Sequence, residues 1–350
     1  MRQGRKATGF QPFEIAGLPC NKVVRFFVFL DNKFSEFNMK EIKSYKDAIY
    51  DVKRGFLIVG LTGYTGSGCT TVSRILKRSN EPQIPSCESI FGQSPKLREQ
   101  RIYKKLKRFW ENSDFDWKPF VHIEVAKVIF AFAVYRALNS KINNLHLKQI
   151  RELIKGEEKS LAALKHLIKN RKDYKRKASE LIEAYKICGN LYLTFKNTVS
   201  SSLGDFIELM QNYGDEIRKV GQVSPYRKKP SPKNLFVLPE AIRRLIKAYQ
   251  ESGSKHFVID AFRNPYEVEY FKRRYSEFYC VGILRELKER DEALREEVSD
   301  NSLSKIKKRE EGKGKNEQEI KRTKDNISEW VTSQNINACL QKADVFIKNQ

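Results

Sequence analysis

Residues 63 to 70 read Gly63-Tyr64-Thr65-Gly66-Ser67-Gly68-Cys69-Thr70, three glycines at fixed spacing closed by a hydroxyl. The pattern G-x-x-x-x-G-x-T suits a loop whose backbone N–H groups converge on phosphate oxygens. Small residues are needed where a chain passes close to an anion, and a helix that follows adds the partial positive charge of its N-terminus. Thr70, with Thr71 beside it, places a hydroxyl on the first helical turn within reach of a magnesium ion. Gly63, Thr65, Gly66, Ser67, Gly68, Cys69, Thr70 and Thr71 are thus the candidate ligands of a nucleoside triphosphate and its Mg2+. Cys69 is the departure. It stands where a lysine would reach the β- and γ-phosphates, so a neutral side chain replaces a cation. Losing that contact removes on the order of a few kcal/mol of transition-state stabilisation unless another base enters. Arg74, Lys77 and the basic residues beyond Leu284 are candidates for that base. Binding survives such a loss better than catalysis does. The alternative is a glycine-rich turn between strand and helix with no ligand.

Three further groups can complete such a site. VIDAFRNPYEVEYFK places Asp260 at the C-terminal end of a buried strand, the edge where ligands sit in open α/β sheets. An acid there can hold the water shell of magnesium or take a proton from an attacking hydroxyl; a helix cap or a partner for Arg263 is the other role open to it. Arg263 is a candidate phosphate clamp, because its planar fork binds two oxygens at once. In the run 211–218, QNYGDEIR, Arg218 can meet a phosphate and Asp215 or Gln211 a base or sugar, unless the run is a plain surface turn. Arg285, Lys288, Arg290 and Arg295 follow the third strand on a helix placed like the lid of small nucleotide kinases; a solvated charged helix would look the same.

The elements that must position these residues follow from hydrophobic patterning. FLIVGL (56–61) is a short continuous apolar run, the mark of a strand buried on both faces of a parallel sheet. HFVID (256–260), FYCVGIL (278–284) and DVFIKN (344–349) are the later strands. Strands separated by helices predict an α/β, doubly wound parallel sheet. Residues 1–54 form an N-terminal arm with one strand, VVRFFVFL (23–30), and 55–98 the phosphate-loop unit. Residues 99–247 are a mostly helical, basic insertion, and 248–350 complete the sheet. Within the insertion, 120–138 reads as one well-buried helix, and 141–187, interrupted at Gly156, as a protruding helical hairpin. The charged stretch of about 296–328 predicts mobility.

Composition narrows the partners. With 67 Lys+Arg against 43 Asp+Glu the net charge is +24, which favours polyanions: nucleotides, nucleic acid or an anionic surface. No run approaches the roughly 18 to 20 apolar residues of a membrane span, and the first residues lack a secretory signal, which predicts a cytoplasmic protein without a membrane partner. The six cysteines show no CxxC pair, as expected for reduced thiols.

GLTGYTGSGCTTVSRIL, WKPFVHIEVAKVIF, LMQNYGDEIRK, FVIDAFRNPYEVEYF and ADVFIKN, in this order, resemble the P-loop, nucleotide-kinase-like N-terminal region of bacterial deoxycytidylate-deaminase-type defence proteins. The similarity touches most of 55–349 through short motifs; more distantly the same elements look like dephospho-coenzyme A kinase and nucleoside monophosphate kinases. The resemblance implies a P-loop NTPase-like fold. It also implies a setting in which a zinc deaminase domain converts deoxycytidine nucleotides to deoxyuridine nucleotides and starves a phage of dCTP. That chemistry needs H-x-E and a later P-C-x-x-C. His122-Ile123-Glu124 matches the first half, but no PCxxC occurs, so no zinc is expected in this chain. The deaminase is then a further domain of a longer protein or a separate effector chain.

Three functions follow as expectations. The first is a regulatory nucleotide-binding module. The second is an active nucleoside or nucleotide kinase with Asp260 as base. The third is an RNA-binding module, suggested by the basic run 165–177 (KHLIKNRKDYKRK) and by the small RNA with which members of the resembled family can associate. The base, the acceptor and any homo-oligomer stay open.

Overall fold

The computed structural model describes residues 56–349, except 84, 113–116, 140–143, 170–176, 200–202, 224–229, 297 and 312–330. In chain order the elements begin with β1 (Leu57–Thr62), α1 (Cys69–Leu76), α2 (Cys87–Phe91), α3 (Leu97–Asn112), β2 (Val121–Glu124) and α4 (Val125–Asn139). A helical layer continues with α5 (Leu145–Leu153), α6 (Glu158–Leu161), α7 (Leu164–Ile168), α8 (Ala178–Val199), α9 (Leu203–Val220) and α10 (Val237–Glu251). The chain then returns to the sheet through β3 (His256–Phe262), α11 (Pro265–Arg274), β4 (Phe278–Arg285), α12 (Leu287–Arg295), α13 (Asp300–Glu310), α14 (Ile336–Leu340) and β5 (Val345–Asn349).

Every residue of β1 is buried. Its run offers no face to water, so it takes the centre, pairing in parallel with β3 on one side and β4 on the other. β2 extends the sheet beyond β3 and β5 beyond β4, giving five parallel strands in the order β2-β3-β1-β4-β5. Parallel neighbours need crossovers, so helices cover both faces. The two-residue period sorts the core. Leu57, Val59 and Leu61 join Val258, Val281 and Ile283 against Val72, Ile75 and Leu76 of α1. Ile58, Phe257, Ile259 and Phe278 share the opposite core with buried residues of α4, α8, α9 and α10.

Three expectations change here. Residues 120–138 are not one helix: Val121–Glu124 pairs with β3 as an edge strand, and the helix starts at Val125. The hairpin of 141–187 does not protrude; Leu147, Ile150, Leu161, Leu164 and Leu181 are buried in the core that α4 shares, while Lys148, Lys155 and Lys159 stay exposed. Its Leu and Ile spacing was therefore a buried stripe rather than a free amphipathic face. Residues 300–310 of the charged stretch of about 296–328 form helix α13, with Leu303 and Ile306 buried in a small apolar cluster. Residues 312–328 of that stretch, the strand VVRFFVFL and residues 170–176 of the basic run 165–177 lie outside the described residues. Among the described residues no helix is long and apolar enough to cross a membrane.

Phe271 is fully buried on α11, with the rings of Phe262, Phe278 and Tyr275 at 5.3, 5.5 and 5.9 Å. Phe271→Ala should cost about 3–5 kcal/mol of folding stability, read from urea denaturation.

Candidate phosphate-binding site

The chain leaves β1 toward β2 on one side of the sheet and leaves β3 toward β4 on the other. The order reverses between these two neighbours, and a crevice opens at the C-terminal edge of such a pair. A cavity of about 510 Å³ occupies that edge. Of the expected residues it brings together Thr65, Gly66, Gly68, Cys69, Thr70, Thr71, Arg218, Asp260, Arg263 and Arg285, while Gly63, Ser67 and Arg290 are off its wall.

Gly66 and Gly68 carry φ values of 82° and 106°, a region closed to most side chains, which is why the loop turns at these two residues. The carbonyl of Ser67 accepts from the Asn349 side-chain amide on β5 at 3.0 Å, and that of Gly66 from Arg285 at 3.3 Å. Because the N–H of a planar peptide points away from its C=O, tying back the Ser67 carbonyl turns the Gly68 N–H to the other side. α1 begins at Cys69 with no side-chain cap, so its first N–H groups are unsatisfied donors at the cavity, where Thr70 and Thr71 are exposed.

Cys69 turns into the core formed by Val72 and Leu76, with its sulfur 3.6 Å from the Ser67 hydroxyl. Burial first, and then the nearby Asp260 carboxylate, push its thiol up to about 12, so it is neutral at physiological pH. The missing cation does not come from α1, where Arg74 and Lys77 face solvent. The cation that does reach the loop is Arg263, which donates from the turn after β3 to the Thr65 hydroxyl at 3.0 Å.

Arg263 also pairs with Glu310, the last residue of α13, which is 1% exposed. The Glu310 carboxylate accepts from the Thr65 backbone N–H at 2.8 Å and from the Thr65 hydroxyl. An acid at a helix C-terminus is poorly placed against the helix dipole. Here the loop's own donors hold it.

A second cluster joins the first across the sheet. The β2–β3 register sets Glu124 beside Asp260. Between them His122 has Nε2 3.5 Å from Asp260 and Nδ1 3.7 Å from Glu124, and Lys127 reaches Glu124 at 2.5 Å. The Ser73 hydroxyl lies 3.2 Å from Asp260. Lys127, Ser73 and Glu310 were not singled out by sequence patterns, and His122 and Glu124 only as half of a deaminase motif, not as neighbours of Asp260. The signal for the latter two was the alternation in Val121-His122-Ile123-Glu124, which the apolar helix behind it concealed. Asp260 and Thr70 line one cavity and are a fitting pair of oxygen donors for Mg2+ brought with phosphates. Among the described residues no group of three or more His, Cys, Asp or Glu would hold a metal by itself.

The remaining arginines serve the frame. QNYGDEIR lies inside α9 rather than in a turn. Arg218, 1% exposed, donates to Glu267 at 2.9 Å and to Asp215 at 3.2 Å. Burial would lower its pKa, but these carboxylates hold it above the ordinary value. Its charge is thus committed within the fold. Arg290 stacks over the Tyr64 ring at 4.8 Å. α12 borders the cavity through Ala293, Leu294 and not through its own arginines.

Arg218→Ala strands the fully buried Glu267 and should cost about 3–5 kcal/mol in urea denaturation. Among the described cysteines, alkylation followed by mass spectrometry should label the partly exposed Cys87 first at pH 8, with Cys69 reacting only as pH climbs well above 9 toward its raised pKa.

Comparison of the chain with protein-family models, with curated proteins and with solved structures found no significant match.

Proposed function

We propose that this chain is a P-loop NTPase-like module that binds a nucleoside triphosphate with Mg2+ and has a regulatory rather than a phosphotransfer role. A central parallel strand that runs into a glycine loop and a helix N-terminus is the arrangement that phosphate-binding modules use. The observation that carries the proposal is the Glu310 carboxylate, which sits among donors of the loop suited to an anion. A triphosphate entering the loop competes with Glu310 for Thr65 and Arg263, and its arrival therefore biases the position of α13. Coupling a ligand to the position of a packed element is what a sensor requires. Neutral Cys69 weighs against efficient transfer.

A kinase is the second reading, favoured by Asp260 and Glu124 on the cavity wall, with His122 3.5 Å from Asp260, because a carboxylate there can accept the proton of an attacking hydroxyl. The resemblance suggests a deaminase-type defence effector, on the same or another chain, as the element that a sensor would control. An RNA partner has the net charge of +24 in its favour.

Calorimetry with Mg2+ and each nucleoside triphosphate should give saturable binding; no binding of any of them ends the proposal. Glu310→Gln should tighten that binding by about tenfold, equivalent to about 1.4 kcal/mol, because the competitor loses its charge. Radiolabelled ATP offered with nucleosides and monophosphates should yield no transfer by the natural protein. Transfer there would favour the kinase, and Cys69→Lys is the variant in which transfer should rise.

A further inference from the structure

The cavity continues past the phosphate loop into the helical layer, where its wall has a different chemistry. One face of α9 runs along it, with Phe206, Met210 and Gln211, and Tyr192 of α8 and Ile129 of α4 complete the apolar surround. The rings of Tyr192 and Phe206 stand 5.3 Å apart at 63°. Burial raises the pKa of the Tyr192 phenol, which keeps it neutral.

Gln211 is the anomaly in this apolar surround. It is 6% exposed, and neither its amide nitrogen nor its amide oxygen has a hydrogen-bond partner. Gln334 brings a second unpartnered amide oxygen to the same cavity from a residue 5% exposed. Buried amides are almost always satisfied, and one left with both ends open is costly to the fold. A leucine at this position of α9 would serve packing better.

We propose that Gln211 is the reading residue of a nucleobase site, distinct from the phosphate loop, that takes a nucleoside or nucleoside monophosphate. An amide offers one donor beside one acceptor, and each nucleobase presents a complementary pair along its edge. The flat faces of Phe206 and Tyr192 and the thioether of Met210 suit a planar heteroaromatic ring, which a sugar or a free phosphate would not match. The size of the cavity accommodates a base at this end while leaving the loop end to phosphates. This site extends the nucleotide-binding proposal but rests on separate side chains.

The test uses the full chain and probes that separate the two ends of the cavity. Nucleosides, which lack phosphate, are titrated by calorimetry alongside their 5′-monophosphates, and inorganic triphosphate with Mg2+ reports the loop alone. At least one nucleoside should bind saturably. Gln211→Leu should weaken it and its monophosphate by about tenfold or more, the loss expected for two hydrogen bonds to a base. The same variant should bind inorganic triphosphate unchanged and should melt no lower than the natural protein, because it removes an unsatisfied amide. If Gln211→Leu fails to fold, Gln211→Met provides the same comparison with a flexible side chain. Nucleoside binding that is unaltered by the substitution, or the failure of every nucleoside to saturate, overturns the site. Triphosphate binding that persists in that case leaves the loop proposal standing. Nucleoside binding lost with Gln211 in a protein that binds no triphosphate keeps the base site and removes the loop proposal.

Discussion

β1 is walled in by two strands and two helical layers, and this burial organises the molecule. No polar group can leave such a strand sideways without losing its hydrogen bonds in an apolar core. Polar chemistry is forced to the strand's C-terminal end, where the chain must turn. The same constraint acts on β3, whose buried run opens at Asp260 and Arg263. Two neighbouring strands therefore deliver a phosphate-type loop, an acid and a guanidinium to one crevice, without any long-range motif being needed to specify it.

Charge is distributed against the average in that crevice. The chain carries +24, yet Asp260, Glu124 and Glu310 gather at the cavity, each with a cation or hydroxyl of its own. Arg218 and Glu267 show the same economy farther in, since neither could stay charged and buried without the other. Among the described residues, lysines such as Lys148 of α5 and Lys159 of α6 carry their positive charge on the outer surface.

The sheet was legible because FLIVGL, HFVID and FYCVGIL are runs that only a doubly covered strand explains, and the loop because its glycines fall at the two positive φ values. β2 was not legible: four residues of alternating pattern flow directly into fifteen residues of apolar helix, and local periodicity is dominated by the longer element. Only the pairing with β3, more than a hundred residues away in sequence, decides that boundary. Glu310 was hidden for a different reason. It lies in a charged stretch whose composition resembles that of a solvated helix, and its partners Thr65 and Arg263 are 245 and 47 residues distant. Arg218 was found by type but given the wrong surroundings, since a sequence shows that an arginine is present and not which buried carboxylate lies opposite.

The carboxylate held at the loop has a consequence for selectivity among anions. A tethered competitor does not dilute: it confronts the loop at a fixed effective concentration set by the chain itself. If the loop binds anions as proposed, a weakly held ion such as orthophosphate would need its concentration raised in proportion to displace the carboxylate. An anion of several linked charges, able to meet Thr65, Arg263 and the N–H groups at the start of α1 together, would meet that requirement most readily.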